Sequence, residues 1–206
     1  SIIKLIFFII AITLIAACGN DSDDESLPKE NINLIFVVSP DLDHHAPGDV
    51  HPETANLTSQ GLQRSLLMAS YLKEKVLGDR NVTAIYALSP MTHLQTQNRF
   101  PDISALGFIQ HFALLNQITI QGTTGNSYPI NTSYGPGSVP DDVVEPASFP
   151  QNCQGLDFDD DVGNNIAVVT RIIDSNTPGY YVFSAPWETI KELLGNIKSS
   201  KGYSFE

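Results

Sequence analysis

Asn33-Leu34-Ile35-Phe36-Val37-Val38-Ser39-Pro40 sets the architecture. A short apolar run bounded by turn residues reads as a buried strand. It stops at Ser-Pro and opens into a loop holding Asp41, Asp43, His44, His45, Asp49 and His51. Ligands of open parallel sheets bind at the carboxyl ends of the strands. Ser39 to Glu53 is therefore the expected floor of a site. Two later apolar runs end the same way: Ala84–Leu88 before Ser89-Pro90, and Tyr180–Phe183 before Ser184-Ala185-Pro186. Three strands ending in Ser place three loops at one pocket, with Ser39, Asp41, Ser89, His93, Ser184 and Trp187 as its candidate lining.

Outward from that strand, apolar residues recur at helical spacing from Leu62 through Leu66, Leu67, Met68, Tyr71, Leu72, Val76 and Leu77. Thr58 is placed to cap this helix, and Gly78-Asp79 to end it. The order continues with a strand over Val82–Leu88, a short helix over Met91–Asn98 stopped by Pro101, and a helix over Ile103–Leu115. A third strand is expected over Ile118–Gln121. Helices over Ile166–Asp174 and Trp187–Ile197 flank the Tyr180 strand. Strands alternating with helices predict an α/β domain with a mainly parallel sheet. Gly122 to Gly155, rich in Gly, Pro, Ser and Thr, reads as a long insertion, either a lid or a poorly ordered loop. Asp157-Phe158-Asp159-Asp160-Asp161-Val162-Gly163-Asn164 approaches a calcium loop, but its glycine falls one place late and Val168 stands where the bidentate acid belongs. These acids read instead as the cap and first turn of the next helix.

The net charge of −12 argues against nucleic acid as a partner. Hydrophobic residues make up 42% and charged ones 17%, a folded composition. Residues 1–17 have the shape of a secretory signal, an apolar stretch with one Lys. It ends in Ile15-Ala16-Ala17-Cys18-Gly19, which resembles the lipobox of bacterial lipoproteins. That resemblance implies lipidation of Cys18 and a bacterial envelope location on the outer membrane, facing the periplasm or the surface. Residues 18–30 are an acidic tether, too polar to order themselves. With Cys18 acylated, Cys153 has no partner and reads as a buried small residue.

From residue 31 on, the segments resemble the histidine phosphatase superfamily, the phosphoglycerate-mutase-like fold. Leu34–Val38 resembles its first strand. Leu57-Thr58-x-x-Gly61-x-x-Arg64 resembles the motif opening its first helix, Ser89-Pro90-x-x-His93 its Ser-Pro-x-x-Arg turn, and Val182-Phe183-Ser184-Ala185 the end of its last strand. The resemblance implies the fold, but the catalytic set is replaced. Ser39 and Pro40 stand at the Arg and nucleophilic His, His93 at the second Arg, and Ala185 at the second His. Phosphohistidine chemistry needs a nucleophilic imidazole and guanidinium groups that grip phosphate oxygens.

Two functions remain open from the sequence. A pseudoenzyme binding a small molecule or a partner would use a pocket of Ser39, Ser89, Ser184 and Trp187, which suits a small-molecule ligand. A metal-dependent phosphohydrolase would hold zinc or manganese on Asp43, His44, His45 and His51, with His93 facing the same pocket.

Overall fold

The computed structural model describes residues 26–42, 48–95, 99–120, 123–132, 155–159 and 163–202. The signal segment, Cys18, Cys153, Asp43, His44, His45 and residues 133–154 of the insertion lie outside them. No helix among the described residues is long and apolar enough to cross a membrane.

The opening run is β1, Ile32–Val38, buried along nearly its whole length. It pairs in parallel with β6, Gly179–Ala185, from Ile32 opposite Gly179 to Val38 opposite Ala185. β6 pairs on its other side with β2, Ala84–Ala87, and β2 with the two-residue β5, Ile130–Asn131. The sheet thus has four parallel strands in the order β1-β6-β2-β5. Strand alternation divides the core between its two faces. Ile35, Val37, Tyr180 and Val182 pack with α1 (Ser59–Tyr71) and α2 (Ser104–Leu115). Ile32, Leu34, Phe36, Tyr181 and Phe183 pack with α3 (Asn164–Ser175) and α4 (Trp187–Lys201). The fold is α/β, with an all-parallel four-stranded sheet flanked by four α-helices among the described residues.

Several elements depart from the sequence expectation. The expected third strand, found as β3 over Gln117–Ile120, does not enter the main sheet. It folds back on β4, Thr123–Ser127, as a separate antiparallel pair. The beginning of the insertion is therefore structured, and it supplies β5 as well. The described part of the expected Met91–Asn98 helix, through Gln95, is not an α-helix. Only Pro90–Thr92 turns, because the chain then runs back antiparallel, with Leu94 bridged to Pro101. No acid occupies the first turn of α3, whose cap is Gly163 at φ 71°. Asp157 is fixed by Asn165 instead, which accepts from its N–H at 2.8 Å and donates to its carbonyl at 2.7 Å.

Of the apolar residues expected at helical spacing, Met68, Leu72, Val76 and Leu77 are buried and the other four are not. Gly61, Ser65, Met68 and Ala69 face inward, while Leu62, Leu66, Leu67 and Tyr71 are exposed. Close approach explains this choice. A Cβ on Gly61 would lie 2.3 Å from the carbonyl oxygen of Asp49, so only the small-residue face fits there. The caps follow expectation. Thr58 Oγ accepts from the N–H of Gly61 at 3.2 Å. Beyond α1 the helix continues over Leu72–Val76 with a widened turn and ends at Gly78 and Asp79, both at positive φ.

Candidate functional site

Because all four strands of the sheet are parallel, β1, β2 and β6 deliver their following loops to one edge. Backbone hydrogen bonds extend the pairing past the strand ends. Ser39 N–H donates to Ala185 C=O at 2.9 Å, and Leu88 N–H to Ser184 C=O at 2.9 Å. Leu156 continues the edge beside β2: its N–H reaches Ala87 C=O at 3.0 Å, and its C=O accepts from Ser89 at 2.7 Å. Ser39, Pro40, Ser89, Ser184 and Ala185 are all buried here.

The chemistry at this edge centres on His93. After β2, the Pro90–Thr92 turn carries the chain to His93, whose side chain is 13% exposed. Its Nδ1 lies 3.0 Å from Asp102 Oδ2 and 3.5 Å from Asp41 Oδ2. An ionised carboxylate only accepts, so a hydrogen bond between His93 and Asp102 requires the tautomer with its proton on Nδ1. Both aspartates are almost fully buried, at 3% and 0% exposed. Phe158 covers the imidazole face to face, with ring centroids 3.8 Å apart and planes 4° from parallel. Asp41, His93 and Asp102 offer one ligand atom each within 4.8 Å of one another.

Surrounding groups hold each member in place. Asp102 N–H donates to the carbonyls of Pro90 and His93, at 3.0 and 2.8 Å. Asp102 Oδ1 accepts from the Ser104 N–H at 2.9 Å and lies 2.5 Å from the Ser104 hydroxyl, which also lies 2.7 Å from Pro40 C=O. The start of α2 thereby ties the β1 loop to the β2 loop. Gln95 adds a second tie, accepting from Leu42 N–H at 2.8 Å and donating to Ser104 Oγ at 3.3 Å. Phe158 is fixed at both backbone atoms: its N–H reaches Thr92 Oγ at 3.2 Å, and Thr189 Oγ reaches its C=O at 3.1 Å.

The predicted site residues divide. Asp41 and His93 come together, while Asp102, Ser104 and Phe158 complete the cluster without having been singled out in the sequence. Ser39 and Ser89 bring buried hydroxyls to the strand ends, neither with a hydrogen-bond partner among the described residues. Ser184 is buried too, but its hydroxyl is committed to Ala105 C=O at 2.9 Å, fastening β6 to α2. Trp187 is half-buried and begins α4. His51 is exposed and takes no part in the cluster. Its carbonyl closes a tight turn by accepting from Ala55 N–H at 2.9 Å.

Electrostatically the cluster is the reverse of a phosphate site. Two carboxylates face one imidazole. Arg64 is engaged by buried Asp49 at 2.9 Å, and Arg80 by the Leu27 carbonyl at 2.9 Å. Family models, curated proteins and solved structures give no match to this chain.

Proposed function

We propose that this chain is a degenerate histidine-phosphatase-like domain, carried by a lipid-anchored bacterial envelope protein through Cys18, that binds a neutral or cationic small molecule at the strand ends without phosphohistidine chemistry. The observation that carries this reading is His93 between Asp41 and Asp102. It stands at the position that the resemblance assigns to a phosphate-gripping Arg. There it adds no free positive charge, because two buried carboxylates offset it, and a phosphate dianion would meet net repulsion. Ser39 and Pro40, in place of the Arg and nucleophilic His, remove the group that would take the phosphoryl. Buried Ser39 and Ser89, whose hydroxyls have no partner among the described residues, suit a ligand offering hydrogen-bonding groups.

A second reading, metal-dependent phosphoester hydrolysis, is favoured by the same Asp41–His93–Asp102 grouping, because a divalent ion would reverse the local charge and activate water. One assay separates the two. The full chain in mild detergent is incubated with phosphomonoesters, alone, with zinc or manganese, and with a chelator. The binding reading expects no turnover in any condition. Turnover that requires metal and stops with chelator would establish the hydrolase. Turnover that survives chelation would overturn both.

A further inference from the structure

We infer that Asp41, His93 and Asp102 form a binding site for one divalent transition-metal ion of the zinc or manganese class. This rests on the reading of the strand ends as the ligand site, and holds whether or not a phosphoester is turned over there.

Three observations converge. The first is spacing. Zinc sits about 2.0–2.2 Å from imidazole nitrogen and carboxylate oxygen, so two ligands on a tetrahedral edge stand about 3.4 Å apart. His93 Nδ1 is 3.0 Å from Asp102 Oδ2 and 3.5 Å from Asp41 Oδ2, and all three ligand atoms fit within 4.8 Å. A small movement admits an ion in place of the imidazole proton.

The second is orientation. Metal ligands are held by outer hydrogen bonds that fix which atom faces the ion. Asp102 gives Oδ1 to the Ser104 N–H and turns Oδ2 to His93. Phe158 clamps the imidazole plane. Asp41 is followed directly by Leu42, whose N–H is pinned to Gln95.

The third is charge. Asp41 and Asp102 are two buried carboxylates facing one imidazole. Two carboxylates, a neutral imidazole and a divalent ion sum to zero, the balance a dry site favours. The same strand ends hold two buried hydroxyls, Ser39 Oγ and Ser89 Oγ, with no hydrogen-bond partner among the described residues, which suits them to accept from or donate to the waters of a hydrated ion. Mixed oxygen and nitrogen ligands suit zinc or manganese over the thiophilic metals.

The full chain, without a His tag, is loaded with Zn(II), dialysed and measured by elemental mass spectrometry. In parallel it is titrated with Co(II) and followed by visible absorption. About one ion per chain is expected, with a Co(II) spectrum of low-symmetry coordination. Asp41→Asn and Asp102→Asn should each weaken binding at least about tenfold. Joint replacement of His44, His45 and His51 by Ala should leave it intact. On the unaltered chain, Co(II) should shift the ring resonances of Phe158, which keeps the test decisive if the Asn variants misfold. A chain that takes up no ion, or one whose ion is lost with the His44, His45 and His51 changes and leaves Phe158 unshifted, overturns the inference. That failure is distinct from chelator-resistant turnover, which would sink the binding reading and leave the ion site standing.

Discussion

The rings of Phe158 and His93 are stacked almost perfectly parallel, 65 residues apart in the chain, with centroids 3.8 Å apart. Offset and edge-to-face aromatic pairs add about 0.5–1.5 kcal/mol beyond the area they bury, and a face-to-face pair such as this one sits at the lower end of that range or below it. Phe158→Leu keeps apolar bulk but removes the ring. It should lower stability by about 0.5 kcal/mol in urea titration and move the His93 imidazole proton resonances downfield, as the ring current that shields them disappears. Unchanged His93 resonances would mean that the two rings do not stack in solution.

The three strand-end serines should respond differently to alanine. Ser184 donates to Ala105 C=O between β6 and α2, so Ser184→Ala leaves a buried carbonyl short of its donor and should cost about 1 kcal/mol. Ser39 and Ser89 make no such bond. Ser39→Ala and Ser89→Ala should be neutral or stabilising by a few tenths of a kcal/mol, since a buried unsatisfied hydroxyl is removed. Chemical denaturation of the three variants measures the contrast. A large loss for Ser89→Ala would reveal a partner for its hydroxyl.

The junction of Asp49 with α1 should be among the least tolerant points of the fold. Arg64 Nη1 meets Asp49 Oδ2 at 2.9 Å, with the carboxylate side chain only 3% exposed. Arg64→Ala strips a cation from a buried carboxylate and should cost about 1–3 kcal/mol. Gly61→Ala drives a Cβ against the Asp49 carbonyl, which is backbone and cannot swing aside. Its cost should lie at or beyond the upper end of the usual overpacking range, about 3 kcal/mol. Denaturant midpoints that rank Arg64→Ala as the more damaging of the two would contradict this account.

Alkaline pH should weaken the fold. Burial pushes the phenols of Tyr86, Tyr128 and Tyr181 above the ordinary tyrosine value of 10.0, and for Tyr86 the nearby Arg171 opposes part of the rise. A raised folded pKa means that the stability these groups carry is complete below pH 10 and is lost as pH climbs through the folded values. Lys73 works in the other direction. Burial lowers it from 10.5, with Asp79 opposing, so stability is gained as pH rises from its folded value to 10.5. Three tyrosines against one lysine give a net fall. Tm should drop from pH 9.5 to 11.5. Tyr181→Phe should flatten that drop and Lys73→Gln should steepen it. A flat profile to pH 11.5 would refute the assignment.

Much of the sheet was legible because its strands are short apolar runs closed by Ser or Pro. β1 and β6 are buried on both faces, so their sequences carry the signal without alternation. β5 was not legible. Two residues, Ile130 and Asn131, hold their place through the parallel register with Ile85 and Tyr86 and through Asn131 Nδ2 bonding Ile85 C=O at 2.9 Å, and nothing local announces that. The inward face of this helix was legible only in part: Met68, Leu72, Val76 and Leu77 are buried, but the first turns of α1 pack through Gly61, Ser65 and Ala69, while periodicity weighs leucines. At the site, Asp41 and His93 were visible from the Ser-Pro turns that precede them. Asp102 was hidden beside Pro101 at a helix start, where an acid is ordinary. Its role depends on the chain reversing between Leu94 and Pro101, which brings it back under His93. Phe158 was read as part of an acidic run, and only the pairing of Leu156 beside β2 delivers it to the imidazole.

The position of β6 in the sheet governs the order in which the molecule can be made. Among the described residues β1 pairs only with residues 179–185, which follow the other described strands in the chain. At translation rates of roughly 5–20 residues per second, β1 waits on the order of 7–30 seconds as an unpaired apolar ribbon. During that interval α1, α2 and the β2–β5 pair can form, but the slot between β1 and β2 stays empty. Any product cut short before Gly179 would keep β1 permanently unsatisfied and prone to aggregate. Insertion of β6 between β1 and β2 is therefore the step that closes the sheet.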